Sequence, residues 1–234
     1  MKYTVAAGFA ILAILAWLLP RQSGGDRAKD EAAAVSADAY QTVCSACHGD
    51  RGQGNMDIGA PSIASLPRWY VEKQVDNFRK GLRGDHPADH TGQAMRAAIL
   101  ALTDKRIDEA LDTLEAFPVV EHEPTITADL ERGAHLYREN CMECHRFNGR
   151  GEISFGSSHL AGLQDWYLLA QWNKFKAGTR GYHPEDEDGA KMRKAAGYLS
   201  NDDEARDVIL YISTLSKQYP EDKNTKIQTP KTKE

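Results

Sequence analysis

The chain has 234 residues, enough for one large domain or two small ones, with 41% hydrophobic and 27% charged residues. A formal net charge of −5 gives no broad basic face and speaks against nucleic acid as a partner. With 19 glycines and 9 prolines, the composition points to loop-rich domains rather than a disordered chain.

The N-terminus stands apart. Lys2 precedes an unbroken apolar run over residues 3–19, closed by Pro20 and Arg21. A basic start with an apolar centre is an export signal. Its helix would rise about 25 Å, near the short end for crossing a bilayer. No Ala-x-Ala cleavage site precedes Arg21 and no lipobox cysteine follows. Residues 1–20 are therefore expected to be an uncleaved transmembrane anchor, with a cleaved signal as the alternative. Either puts the remainder in the periplasm, tethered to the inner membrane or soluble. Residues 21–36, rich in Gly, Ala, Ser and charge, read as a flexible linker.

Next comes Cys44-Ser-Ala-Cys47-His48, and further on Cys141-Met-Glu-Cys144-His145, which together use all four cysteines. The two motifs lie 97 positions apart, and the same shift matches many residues around and beyond them. Tyr40 falls on Tyr137, Trp69-Tyr70 on Trp166-Tyr167, Gln74 on Gln171 and Phe78 on Phe175. Arg83-Gly84-x-His86-Pro87 falls on Arg180-Gly181-x-His183-Pro184, and Gly92-x-x-Met95-Arg96 on Gly189-x-x-Met192-Arg193. The register runs ungapped for about sixty residues, so one domain is present twice.

Within each copy, a helix is expected to lead into CxxCH, with Ser36 or Thr127 as N-cap. A second helix buries Val71, Val75 and Phe78, or Leu168, Trp172 and Phe175, and ends near Gly81 or Gly178. A third opens at Thr103 or Ser200 and buries Ile107, Ala110, Leu111 and Leu114, or Ala205, Val208, Ile209 and Ile212. No window alternates as a strand. The expected architecture is all-α, with domains at 37–118 and 127–216 and a linker around 119–126. Residues 217–234 are polar, without apolar periodicity, and are expected to be disordered.

Zinc would want about four converging ligands, and each CxxCH sits inside its own repeat. A redox dithiol of the thioredoxin type expects a βαβ setting. Disulfides between repeats would leave the histidines unexplained. Covalent heme accounts for every residue: both cysteines add to the porphyrin vinyl groups and the adjacent histidine reaches the iron. Two motifs in register imply two covalently attached heme c groups. For the sixth ligand, Met95 and Met192 are the methionines that repeat, each 47 residues beyond its histidine, and they are expected on a loop opposite the proximal helix. His86 and His183 also repeat and are the rivals, although each sits before proline in a polar loop. Arg83 and Arg180 could pair with heme propionates. His90, His122, His135 and His159 have no repeat partner and are expected at the surface.

Residues 37–216, with CSACHGDRGQG, APSI, WYVEKQVDNFRKGLRG and GxxMR and then the second copy, resemble a tandem class I cytochrome c of the diheme cytochrome c4 type. They are also similar to cytochrome c domains fused to oxidase subunits. The resemblance implies Cys44, Cys47, His48 and Met95 for the first heme, and Cys141, Cys144, His145 and Met192 for the second. It also implies that a proline carbonyl orients the proximal imidazole; Pro61 fits that role, and Ser158 stands there in the second copy. Gly49, after the first motif, becomes Arg146 after the second. Unequal potentials are expected from these differences.

The function expected is transfer of single electrons between a quinol-oxidising complex and a terminal oxidase or reductase. Such a carrier uses redox partner proteins and needs neither nucleic acid nor a small-molecule substrate. With His and Met on both faces of each iron, no catalytic residue is expected. The alternatives are a fixed diheme subunit of an oxidase complex and a diheme peroxidase, which would need one iron to lose its sixth ligand.

Overall fold

The structure is a computed structural model that describes residues 39–64 and 66–220. The expected anchor at 1–20, the linker at 21–36 and residues 221–234 of the expected tail lie outside the described residues. No helix among the described residues is long and apolar enough to cross a membrane.

The described residues form two helical units in succession. In the first, a helical segment at 39–43 leads into α1 (Ser45–His48), followed by α2 (Arg68–Arg79), α3 (His90–Leu100) and α4 (Asp104–Ala116). In the second, α5 (Leu130–Asn140) leads into α6 (Met142–His145), then α7 (Asp165–Ala177), α8 (Glu187–Ala196) and α9 (Asp202–Gln218). Isolated bridges Asn55–Ala60 and Glu152–Ser157 close the loop after each CxxCH, around short 3₁₀ turns at Met56–Ile58 and Ile153–Phe155.

Helix starts follow capping chemistry, though not always at the expected residue. Thr103 caps α4 by accepting from the Arg106 N–H. The cap of α5 is Asp129 rather than Thr127, and the cap of α9 is Asn201 rather than Ser200. In each case a carboxylate or amide oxygen placed nearer the first turn satisfies an orphan amide. Helices α3 and α8 carry the two repeated methionines, so Met95 and Met192 sit on helices and not on loops. Asp89 and Asp186 start these helices by accepting from Gly92 and Gly189 N–H at 3.0 and 2.9 Å. A side chain at either glycine would collide with the capping carboxylate, which explains the repeated Asp-x-x-Gly.

The expected apolar faces are buried. Val75 and Phe78 of α2 pack with Ile107, Ala110, Leu111 and Leu114 of α4; Val71, half-buried, lies against them. Leu168, Trp172 and Phe175 of α7 pack with Ala205, Val208, Ile209 and Ile212 of α9. Each of the larger of these side chains contributes about 1.5–3 kcal/mol by leaving water. Gly133 lets α5 cross close to α9, because a Cβ there would collide with the Asp207 carbonyl oxygen. The buried Asp207 carboxylate ties the crossing further, accepting from Asp129 N–H at 2.8 Å and pairing with Arg132. Helix α9 continues to Gln218, and Lys217 pairs with Glu123, so the start of the expected tail is helical.

The linker is tied to the second unit. Asp165, at the start of α7, is buried and accepts from Thr125 and Ile126 N–H at 2.6 and 2.7 Å. Between the units, Leu66 of the first packs against the core of the second, and several further contacts are polar. Lys73 pairs with Asp188 and Lys174 with Asp89, both at 2.5 Å. Arg83 donates to Gln74 at 2.7 Å and to Tyr167 at 3.0 Å, while Arg180 donates to Gln171 at 2.8 Å and to Gln74 at 3.3 Å. These arginines exchange partners across the joint in a nearly two-fold manner.

Candidate functional site

Each CxxCH ends a helical turn in the same way. Tyr40 is fully buried and its hydroxyl donates to the Gly49 carbonyl at 2.8 Å; Tyr137 does the same to Arg146 at 2.7 Å. The residue after each histidine turns the chain with positive φ, 78° at Gly49 and 65° at Arg146. With ψ at 163°, Arg146 occupies a region that only glycine enters freely. It is held there by the Tyr137 hydroxyl, by an ion pair with Glu152 at 2.7 Å and by stacking over Phe155.

His48 and His145 are buried. His48 Nδ1 lies 2.8 Å from the Pro61 carbonyl oxygen, and His145 Nδ1 lies 2.9 Å from that of Ser158. A carbonyl only accepts, so each Nδ1 donates and each Nε2 keeps its lone pair. The serine thus supplies the same acceptor as the proline. Burial lowers the pKa of both rings, more than the carbonyl bonds raise it, and favours the neutral, ligating form.

Burial, with the neighbouring Cys47, raises the Cys44 thiol to about 11; burial and Cys144 raise Cys141 to about 12. Thiols of this kind make poor redox nucleophiles at neutral pH. Among the described residues, no group of three or more His, Cys, Asp or Glu side chains converges on one point.

Cys141, Cys144, His145 and Met192 line one cavity of about 210 Å³ in the second unit, with Leu168, Trp172 and Phe175 in its apolar wall. Tyr70, Lys73, Gln74, Asn77 and Arg83 of the first unit also line it, so the cavity reaches the joint between the units. In the first unit, Cys44 and Met95 pack against the core of α2 and α4, while Cys47 is exposed.

The cavity fits a heme. Two buried polar atoms in its lining have no partner, the Trp172 Nε1 and the Arg83 Nε. Arg83 and Arg180 hydrogen-bond to neutral amides and a phenol, and they stack over Phe78 and Phe175. Two half-buried guanidiniums with neutral hydrogen-bond partners favour an anion beside them. Burial and Arg83 both lower the Arg180 pKa, the sign expected for crowded positive charge.

The other histidines divide. His86 and His183 accept through Nδ1 from Ala88 and Glu185 N–H at 3.1 and 3.2 Å, which makes them local turn residues. His159 is buried rather than at the surface, and burial with the nearby Arg150 lowers its pKa to about 4. His122 is half-buried, with its Nε2 unpaired. Gln164, Lys73, Lys174 and Asp165 carry no motif and were not expected. Their one signal is that each breaks the repeat, standing against Pro67, Ala170, Asn77 and Arg68.

The family model for cytochrome c matches residues 33–112 and again residues 130–216. A thiosulfate dehydrogenase electron acceptor from Stutzerimonas stutzeri is 30% identical over 185 residues, covering 75% of this chain and 80% of the relative. Cytochrome c4 from Azotobacter vinelandii is 29% identical over 182 residues, 73% of this chain and 83% of its own. The crystal structure of reduced recombinant cytochrome c4 from Pseudomonas stutzeri superposes with a TM-score of 0.58 at 24% identity, over 76% of this chain and 97% of that one. The chain belongs to the cytochrome c family, as a diheme electron-transfer protein of the cytochrome c4 type with two tandem cytochrome c domains and two covalently bound heme c groups.

Proposed function

We propose that this protein shuttles single electrons in the periplasm, from a quinol-oxidising complex to a terminal oxidase or reductase, with no catalytic residue of its own. In this reading Cys44 and Cys47 hold the first heme and Cys141 and Cys144 the second. His48 and Met95 ligate the first iron, and His145 and Met192 the second. Each heme c supplies an iron that takes up and releases one electron. The observation that supports the reading most is His145 and Met192 lining a single apolar cavity, with the His145 Nε2 left as its basic nitrogen.

The chain's own groups orient and insulate. The carbonyls of Pro61 and Ser158 hold the imidazoles in one tautomer. The thioethers of Met95 and Met192 would complete the coordination of each iron and would leave no position for substrate. Trp172, Phe175 and Leu168 exclude water, and Arg83 and Arg180 would meet the propionates at the joint. The formal charge of −5 suits partners with positive docking faces, reached by salt-dependent steering.

A second reading for the donor rests on the Stutzerimonas stutzeri relative, named as the electron acceptor of a thiosulfate dehydrogenase. The test is stopped-flow reduction of the purified oxidised protein, with a bc1-type quinol complex in one arm and a thiosulfate-oxidising dehydrogenase in the other. Fast, salt-sensitive reduction in the first arm supports the quinol route. Reduction only in the second arm overturns it. Co-purification with an oxidase from native membranes would make the protein a fixed subunit rather than a shuttle.

A further inference from the structure

One contact between the units runs directly to a proximal histidine. Gln164, buried at the start of α7, reaches into the first unit. Its Oε1 accepts from the Ser62 N–H at 2.8 Å, and its Nε2 donates to the Gln53 carbonyl at 2.8 Å. Ser62 is completely buried, and its hydroxyl is spent on the Gly52 carbonyl at 3.0 Å. The Ser62 N–H and the Pro61 C=O are the two ends of one peptide group. That C=O accepts from His48 Nδ1 at 2.8 Å. The chain of bonds is therefore Gln164 to peptide 61–62 to the His48 ring. Gly54 leaves the room for it: a Cβ there would lie 2.6 Å from the Ser62 nitrogen and 2.7 Å from the Gln164 Nε2.

The bridge has no reciprocal. The residue in register with Gln164 is Pro67, which has no side-chain amide to offer the Ser158–His159 peptide. A peptide whose N–H is already bonded has a more polarised carbonyl, because hydrogen bonds in a chain strengthen one another. A stronger acceptor at Nδ1 makes the imidazole a more basic ligand. A more basic ligand favours ferric iron.

We propose that Gln164 is a positioning residue through which the second domain sets the electron affinity of the first heme. The inference rests on His48 being that heme's axial ligand. Docking of the two domains is then not only a matter of holding the hemes near each other. It lowers the potential of one heme by way of a hydrogen bond that Gln164 accepts from the peptide behind the His48 ring.

The test uses the full-length holoprotein, with Gln164→Leu and Gln164→Glu beside the parent. Two quantities are read: the midpoint of each heme by optical redox titration, and the ring Nδ1–H resonances of His48 and His145 in the reduced protein by NMR. In Gln164→Leu, the His48 resonance moves upfield and the first midpoint rises, while His145 and the second midpoint stay. Gln164→Glu keeps an oxygen facing the Ser62 N–H, and its first midpoint rises less than that of the leucine variant or falls below the parent. The inference is overturned if Gln164→Leu, with both hemes bound, matches the parent in the His48 resonance and the first midpoint, or shifts both midpoints together. Should Gln164→Leu fail to fold, a first midpoint in Gln164→Glu that rises together with the second overturns it equally. Loss of the methionine–iron band from the parent itself would count against the axial ligands, not against Gln164.

Discussion

The two halves share a motif, a helix order and a tyrosine lock, yet they differ where the CxxCH histidines are supported. After His48 the chain turns on Gly49, while after His145 it turns on Arg146 in a conformation suited to glycine. The His48 carbonyl partner belongs to a proline peptide bonded at its other end by Gln164; the His145 partner belongs to a serine. Trp172 stands in the second core where Val75 stands in the first. The duplicated domain keeps its CxxCH histidines and diverges in their supports, and groups behind a metal ligand are what tune a metal.

The hardest way to break the comparison is to remove one axial thioether. Met95→Ala should abolish the long-wavelength methionine–iron charge-transfer band of the first heme alone, and Met192→Ala that of the second. Optical spectra of the oxidised variants check this, and an unchanged band in both would refute the ligand assignment.

A second contrast lies at the starts of α2 and α7. Asp165→Ala strips the partner from two linker amides and should cost the second half about 2 kcal/mol, since hydrogen bonds to a charged carboxylate are among the stronger ones. Its counterpart Arg68 pairs with Glu72, Asp108, Asp112 and Glu115, whose side chains are exposed. Arg68→Ala should cost about 1 kcal/mol or less. Denaturant unfolding of both variants measures the difference.

The joint itself should weaken in acid. Burial raises the carboxyls of Asp89 and Asp188, but the ammonium groups of Lys174 and Lys73 outweigh it and hold both below their usual value. Such carboxylates add stability at pH values above about 4 and lose it as pH falls through their depressed values. Calorimetry should therefore show one transition at neutral pH and separating transitions well below pH 4. A joint that is equally firm at both would contradict the role given to these pairs.

The smallest effect concerns the turn after each histidine. Arg146→Gly should relieve strain and stabilise the second half by about 1 kcal/mol, offset in part by the lost Glu152 pair. Gly49→Arg should destabilise the first, because a Cβ there collides with the Gln53 side chain. Thermal melting of the two exchanges shows whether the asymmetry is carried by this one residue.

Much of the architecture was legible because duplication doubles every signal. Apolar spacing in α2, α4, α7 and α9 named the buried residues, and CxxCH named the cofactor. What was not legible came from contacts between the units and with the linker. Gln164, Lys73, Lys174 and Asp165 have no local pattern, since their partners lie 39 to 115 positions away in sequence. The caps at Asp129 and Asn201 were missed by one or two residues because several short polar side chains compete at each helix start. The methionines were expected on a loop opposite the proximal helix; they sit on helices instead, where the glycine of Gly-x-x-Met makes room for the capping aspartate.

Everything in this picture depends on two hemes whose irons share His/Met ligation and differ in what stands behind it. A redox titration of the intact protein, followed optically through the methionine–iron band, addresses that directly. Two one-electron waves at different midpoints, each accompanied by its own share of the band, are expected. A single wave at one common midpoint, or a wave without the band, would contradict it.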